Sequence, residues 1–112
     1  MKDVINTNDI IRFWNKVCKG CNKHDHSKGC WLWTAGCTNL GYGAFSVVVA
    51  KRYKQIMAHR YALLLATGSL PTENANHKCN IRRCVRVDPY HVYEGSQRDN
   101  IRDFRFTYRN LV

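Results

Sequence analysis

His77-Lys78-Cys79-Asn80-Ile81-Arg82-Arg83-Cys84-Val85-Arg86-Val87-Asp88-Pro89-Tyr90-His91 is the stretch on which the reading of this chain turns. It carries the pattern Cys-x4-Cys-x6-His, with a further histidine two residues ahead of the first cysteine. Thiolates and a neutral imidazole are the ligands that tetrahedral zinc prefers, and a closed structural site takes four of them. Cys79, Cys84 and His91 supply three. Cys30, beside a strand-like run, is the candidate for the fourth. A zinc held this way would tie the N-terminal half to the C-terminal half, and its binding free energy would become folding free energy. The plainer alternative is a set of buried cysteines and a core histidine with no ion between them.

Working outward, the 112 residues read as one domain, too small to bury more than about two-thirds of its unfolded surface. Small cores are often supplemented by metals or disulfides, and six cysteines with five histidines offer both. The N-terminal MKDVINTNDIIRFW has no long apolar run, so a secretory signal is not expected. No stretch approaches the roughly 20 apolar residues of a membrane span. A cytoplasmic location is expected, and in a reducing cytosol thiols interleaved with histidines read as metal ligands before disulfides. Eighteen Lys and Arg against eight Asp and Glu leave a formal +10, which favours nucleic acid as partner.

The apolar pattern predicts a mixed α+β domain with an antiparallel sheet. A short helix is expected over 7–17, capped by Thr7 or Asn8. Strands are expected at WLWTAG, AFSVVV and KQIMA, with a turn over Lys51 to Lys54. Ala58 to Thr67 is Ala/Leu-rich and stops at Gly68 with Pro71 beyond, so a second helix belongs there. The last third reads β–loop–β–α. Ser96 and Asp99 open a C-terminal helix with Ile101, Phe104 and Tyr108 on one face and Arg98, Arg102, Arg105 and Arg109 on another. A row of arginines without interleaved acids suits phosphate contact; a solvated surface is the plainer reading.

His77 is left over beside the clamp. Nine residues beyond His91 stands Asn100, in the first turn of that last helix. Folding the two strands together would bring the helix start across from His77. An imidazole titrating near neutrality can deprotonate an attacking water. A hard cation such as Mg²⁺, held by an amide oxygen and the scissile phosphate, would neutralise charge on the leaving oxygen.

These residues, with GCWLWTAG, GYGAF, AHRYALLLATG, NHKCNIRRCV and DPYHVYEGSQRDNIRD in that order, resemble the phage-type HNH (ββα-metal, His-Me finger) endonucleases. The last third is also similar to the His–Cys box homing endonucleases. The resemblance runs from Phe13 to Asp103. It implies a zinc-stapled domain whose catalytic ββα-metal motif spans about 75–110, hydrolysing phosphodiester bonds of duplex DNA. It implies His77 as general base, Asn100 as ligand of the catalytic metal, and Cys30, Cys79, Cys84 and His91 as the structural zinc site. Three features depart from the pattern. Six residues separate Cys84 from His91 where the family has four, Asp88-Pro89 replaces Asn-Pro, and Asn76 stands where some relatives carry a metal-binding aspartate. Asn76 is thus a candidate second ligand.

Cys18-x2-Cys21-x2-His24-x-His26 lies outside that pattern but has zinc chemistry, and Cys37 is near enough in sequence to join it. A second zinc and a polar loop with free thiols both fit so tight a spacing. By the resemblance, strands within 42–58 would face DNA, with Lys51, Arg52 and Lys54 at the sheet's end. Arg60 would contact phosphate or pair with an acid such as Glu73. A non-catalytic zinc-dependent DNA-binding module is the alternative function, and a disulfide-rich secreted protein a more distant one. Monomer and homodimer both remain open.

Overall fold

The computed structural model describes residues 6–21, 24, 26, 28–71 and 74–95. Asn100, Arg98, Arg102, Arg105 and Arg109, with the helix expected to carry them, lie outside the described residues, as does Glu73. What is described is a mixed domain of two helices and three antiparallel strand pairs.

Helix α1 spans Thr7–Trp14. Its cap is Asn6, one residue ahead of the expected Thr7 or Asn8; the Asn6 side chain accepts from the Asp9 N–H at 2.8 Å. The helix stops at Trp14, because Val17 and Cys18 leave it as strand β1 to pair with strand β2, Leu32–Trp33. Only those two residues of WLWTAG hold strand geometry. Beyond them Thr34 turns its N–H to the Lys16 carbonyl, and the Trp33 indole N–H bonds the Gly36 carbonyl.

Strands β3, Ala44–Val49, and β4, Arg52–Met57, form a hairpin with Ala44 opposite Met57 and Val49 opposite Arg52. Its turn is Ala50-Lys51, both in the left-handed region (φ 52° and 65°), so the chain reverses earlier than the expected Lys51–Lys54. Alternation sorts the hairpin's faces. Phe45, Val47 and Ile56 point into the core, whereas Ser46, Val48, Tyr53 and Gln55 face outward.

Helix α2 spans Ala58–Thr67 and ends at Gly68 in the left-handed conformation (φ 87°), as its sequence predicts. It buries Ala58, His59, Tyr61, Ala62, Leu63 and Leu64. The core gathers around Phe13, whose ring lies 4.9 Å from Tyr61, 5.1 Å from Trp33 and 5.3 Å from Phe45. Gly43 is needed where β2, β3 and α2 meet. A Cβ there would stand 2.6 Å from the Trp33 ring and 2.9 Å from the Ala58 methyl.

Strands β5, Asn74–His77, and β6, Val92–Gly95, pair with His77 opposite Val92 and Asn76 opposite Tyr93. The 78–91 loop between them folds back on β2 through a bridge from Leu32 to Cys84. That bridge brings the N-terminal Cys30 to the loop.

Candidate metal centres and histidine cleft

Cys30, Cys79 and Cys84 converge so that their sulfurs lie within 4.8 Å of one another, all buried, with Leu32 and Ile81 around them. Backbone geometry produces the convergence. Asn80 adopts a left-handed conformation (φ 58°) and Cys84 donates its N–H to the Ile81 carbonyl, curling the loop so that both of its thiols face Cys30. Burial, with the neighbouring Cys79 charge, pushes Cys30 up to about 11. The hydrogen bond from Cys84 draws Cys79 down to about 6, and that same bond, with burial, raises Cys84. Three sulfurs sharing one negative charge is a conflict that a divalent cation removes, since a coordinating thiol gives up its proton. The cluster can hold a zinc ion.

His91, the expected fourth ligand, is not drawn into that cluster. Its Nδ1 faces Asp88 Oδ1 at 2.8 Å and its Nε2 faces the Lys28 carbonyl at 2.9 Å. The Asp88 contact is of the kind that orients metal-bound histidines. The Lys28 contact, however, occupies the nitrogen that would meet the ion. The chain runs past His91 at Lys28 and Gly29, the latter in the left-handed region (φ 76°). Cys37 also stands apart from both clusters: it is exposed, and its thiol turns to the Ala35 carbonyl at 3.8 Å. Cys18, Cys21, His24 and His26, by contrast, are gathered into a second group of metal-ligating atoms.

His77 closes β5 and points into a cleft of about 210 Å³ lined by Tyr42, Met57, His59, Arg60, Asn76 and neighbours on β5. Its Nε2 lies 2.9 Å from the Cys84 carbonyl. A carbonyl only accepts, so Nε2 carries the proton and Nδ1 keeps its lone pair. Burial, with a smaller contribution from the Arg82 charge, lowers His77 to about 4 despite the Cys84 bond. The ring is therefore neutral at pH 7. Asn76 beside it is buried and lines the same cleft. Arg60 also lines it, with a guanidinium nitrogen 3.5 Å from the Pro71 carbonyl.

His59 is a residue that the sequence reading missed. It sits on α2 with its ring 4.4 Å from that of His77, and Tyr42 stacks over both at 5.4 and 5.9 Å. Its Nδ1 is buried with no hydrogen-bond partner among the described residues. In AHRYALLLATG the arginine drew attention as a cation; nothing in a helical Ala/Leu run marks a histidine as the neighbour of another histidine.

Burial of this pair has a pH signature. His59 is lowered to about 3, chiefly by burial and then by the adjacent His77, from an ordinary 6.5. Both folded values lie below the unfolded one, so the unfolded chain binds more protons between about pH 4 and 6.5. Stability should therefore be complete above that window and fall as the solution is acidified through it, by up to about 1.4 kcal/mol per pH unit for each histidine. Urea unfolding at pH 5 and pH 7 under constant zinc measures this. A pH-independent midpoint would contradict the neutral buried pair.

Lys51, Arg52 and Lys54 are exposed at the far end of the β3–β4 hairpin. Met57, at the other end of β4, borders the cleft that holds His77. Among the described residues no helix is long and apolar enough to cross a membrane. No family model, no curated protein and no solved structure matches the chain.

Proposed function

We propose that the protein is a metal-dependent endonuclease of the HNH type that hydrolyses phosphodiester bonds of duplex DNA. The observation that carries this reading is the setting of His77: a neutral imidazole in a cleft, its Nε2–H committed to the Cys84 carbonyl and its Nδ1 lone pair available. Most buried histidine nitrogens find a hydrogen-bond partner. One that turns a lone pair toward a cleft can take a proton from water, although burial holds His77 below the near-neutral value that its role as a base would favour.

In this reading the zinc-bearing loop does more than stabilise. The carbonyl that fixes the His77 tautomer belongs to Cys84, one of the three clustered thiols, so the clamp sets the orientation of the base. His77 Nδ1 takes a proton from water as the water oxygen attacks phosphorus and the bond to the leaving 3′ oxygen breaks. Asn100, with Asn76 as a candidate second ligand, would hold a Mg²⁺-type cation that neutralises charge on the phosphate and leaving group. Arg60 beside the base and the Lys51–Arg52–Lys54 tip would contact phosphates on one stretch of duplex. Arg98, Arg102, Arg105 and Arg109 would extend that contact. A two-stranded ribbon such as β3–β4 fits the major groove.

The test uses supercoiled plasmid with the wild-type chain. In Mg²⁺, relaxed or linear product should form and should stop in EDTA. Binding should weaken steeply with salt: about six phosphate contacts imply roughly a thousandfold loss between about 50 and 200 mM. Salt-sensitive binding without cleavage would favour the non-catalytic zinc-dependent DNA-binding module. Binding indifferent to salt would count against both.

A further inference from the structure

Cys18 and Cys21 sit at the end of β1 and in the turn that follows it, and His24 and His26 in the polar stretch beyond. Neither the catalytic reading nor the Cys30–Cys79–Cys84 clamp uses them. Their four ligand atoms nonetheless lie within 4.8 Å of one another. Cys21 Sγ lies 3.1 Å from His24 Nδ1 and 3.4 Å from His26 Nε2, and Cys18 Sγ lies 3.4 Å from that same Nε2. Zn–S near 2.3 Å and Zn–N near 2.0 Å at the tetrahedral angle put sulfur and nitrogen about 3.6 Å apart, close to these separations. Paired thiol–imidazole hydrogen bonds would join the residues two by two. Here one imidazole nitrogen is shared by both sulfurs, and one sulfur by both rings.

A second observation concerns the tautomer. His26 Nδ1 lies 2.9 Å from the Cys30 carbonyl. The carbonyl only accepts, so Nδ1 carries the proton and Nε2 turns a lone pair toward Cys18 and Cys21. Metal-binding histidines are oriented in this way, by an acceptor on the nitrogen that does not ligate. Here the acceptor is the backbone of Cys30, a member of the inner cluster.

We propose that Cys18, Cys21, His24 and His26 form a second, separately exchangeable zinc site, whose His26 braces Cys30 and so the inner clamp. Two thiolates and two neutral imidazoles balance the charge of a dication, and the thiol protons are released to solvent as it binds. The two sites differ in access. Cys21 is exposed and the other three ligands are half-buried, whereas Cys30, Cys79 and Cys84 are all buried. A chelator in solution reaches the outer ion first. Its loss releases Cys18, Cys21, His24 and His26 from one another while leaving the thiols of the inner cluster in place.

The inference does not depend on DNA cleavage, and zinc counting by native mass spectrometry on the full chain tests it. The wild type should carry two zinc ions, one for each cluster. Cys21→Ser and His24→Asn should each carry one and keep the folded circular dichroism spectrum. Chelator titration of the wild type should remove the ions in two steps, the first without unfolding. A wild type that holds a single zinc, or a Cys21→Ser chain that still holds two, would overturn the proposal. Cobalt added to the wild type after the first chelation step gives an independent reading, because the spectrum of the ion that returns should report two-sulfur, two-nitrogen coordination. Failure of cobalt to return to that folded, singly loaded chain would also overturn it.

Discussion

Stripping zinc from the inner cluster should unfold the domain. Cys30 arrives from the segment before β2, and Cys79 and Cys84 from the β5–β6 loop, so an ion among them joins parts of the chain about 50 residues apart. Structural zinc contributes an apparent 10–16 kcal/mol in small peptides, about the whole stability of an ordinary domain at roughly 5–15 kcal/mol. The apolar core around Phe13 and Trp33 is modest, and it does not extend to the thiol cluster, which packs only with Leu32 and Ile81. Without the ion, three buried sulfurs are left to share a single negative charge. The expected result is loss of the cooperative melt on strong chelation and its return when zinc is restored. Cys84→Ala, at a fully buried sulfur, should abolish the cooperative transition even with zinc present. Identical melting curves with and without chelator would show that the thiols pack as ordinary hydrophobes.

Several elements were legible in the residues alone. Ala58–Thr67 has an Ala/Leu-rich helical pattern and a glycine stop, and the helix occupies those residues. AFSVVV forms β3 from Ala44 to Val49, because its β-branched run has no competing helical period. Errors arose where tertiary pairing decided the outcome. Val17 fits the apolar stripe of α1, yet it leaves the helix to pair with Trp33. The hairpin turn falls on Ala50-Lys51, two residues that give no turn signal and take left-handed angles only because the paired strands demand it.

The candidate site shows the same division. Cys30 is picked out by its ligand chemistry, its place beside a strand-like run and the resemblance, and the Leu32–Cys84 bridge does bring it to Cys79 and Cys84. His91 was placed in the same tetrahedron by residue type. In the structure its Nε2 faces the Lys28 carbonyl, a contact that its spacing does not encode. The tight Cys18–His26 spacing left a second zinc and a polar loop with free thiols both open, and its four ligand atoms converge. His59 was invisible because its significance is a contact with His77, eighteen residues on, and no periodicity encodes that.

On the proposed reading, His77→Ala should reduce cleavage by about 10²–10⁴-fold, the range for a positioned general base, which corresponds to about 3–5 kcal/mol of barrier. DNA binding should survive, since the Lys51–Arg52–Lys54 tip and Arg60 are untouched. Some stability should be lost with the Cys84 bond and the packing on His59, so zinc content and the melt must accompany the rate. The most direct measurement is therefore a single-turnover time course on supercoiled plasmid in Mg²⁺, wild type beside His77→Ala, at matched DNA occupancy. The account predicts relaxed or linear DNA from the wild type and at least about a hundredfold slower reaction from a folded, zinc-loaded variant. A variant that cuts at the wild-type rate, or a DNA-bound wild type that leaves the plasmid intact, would contradict it.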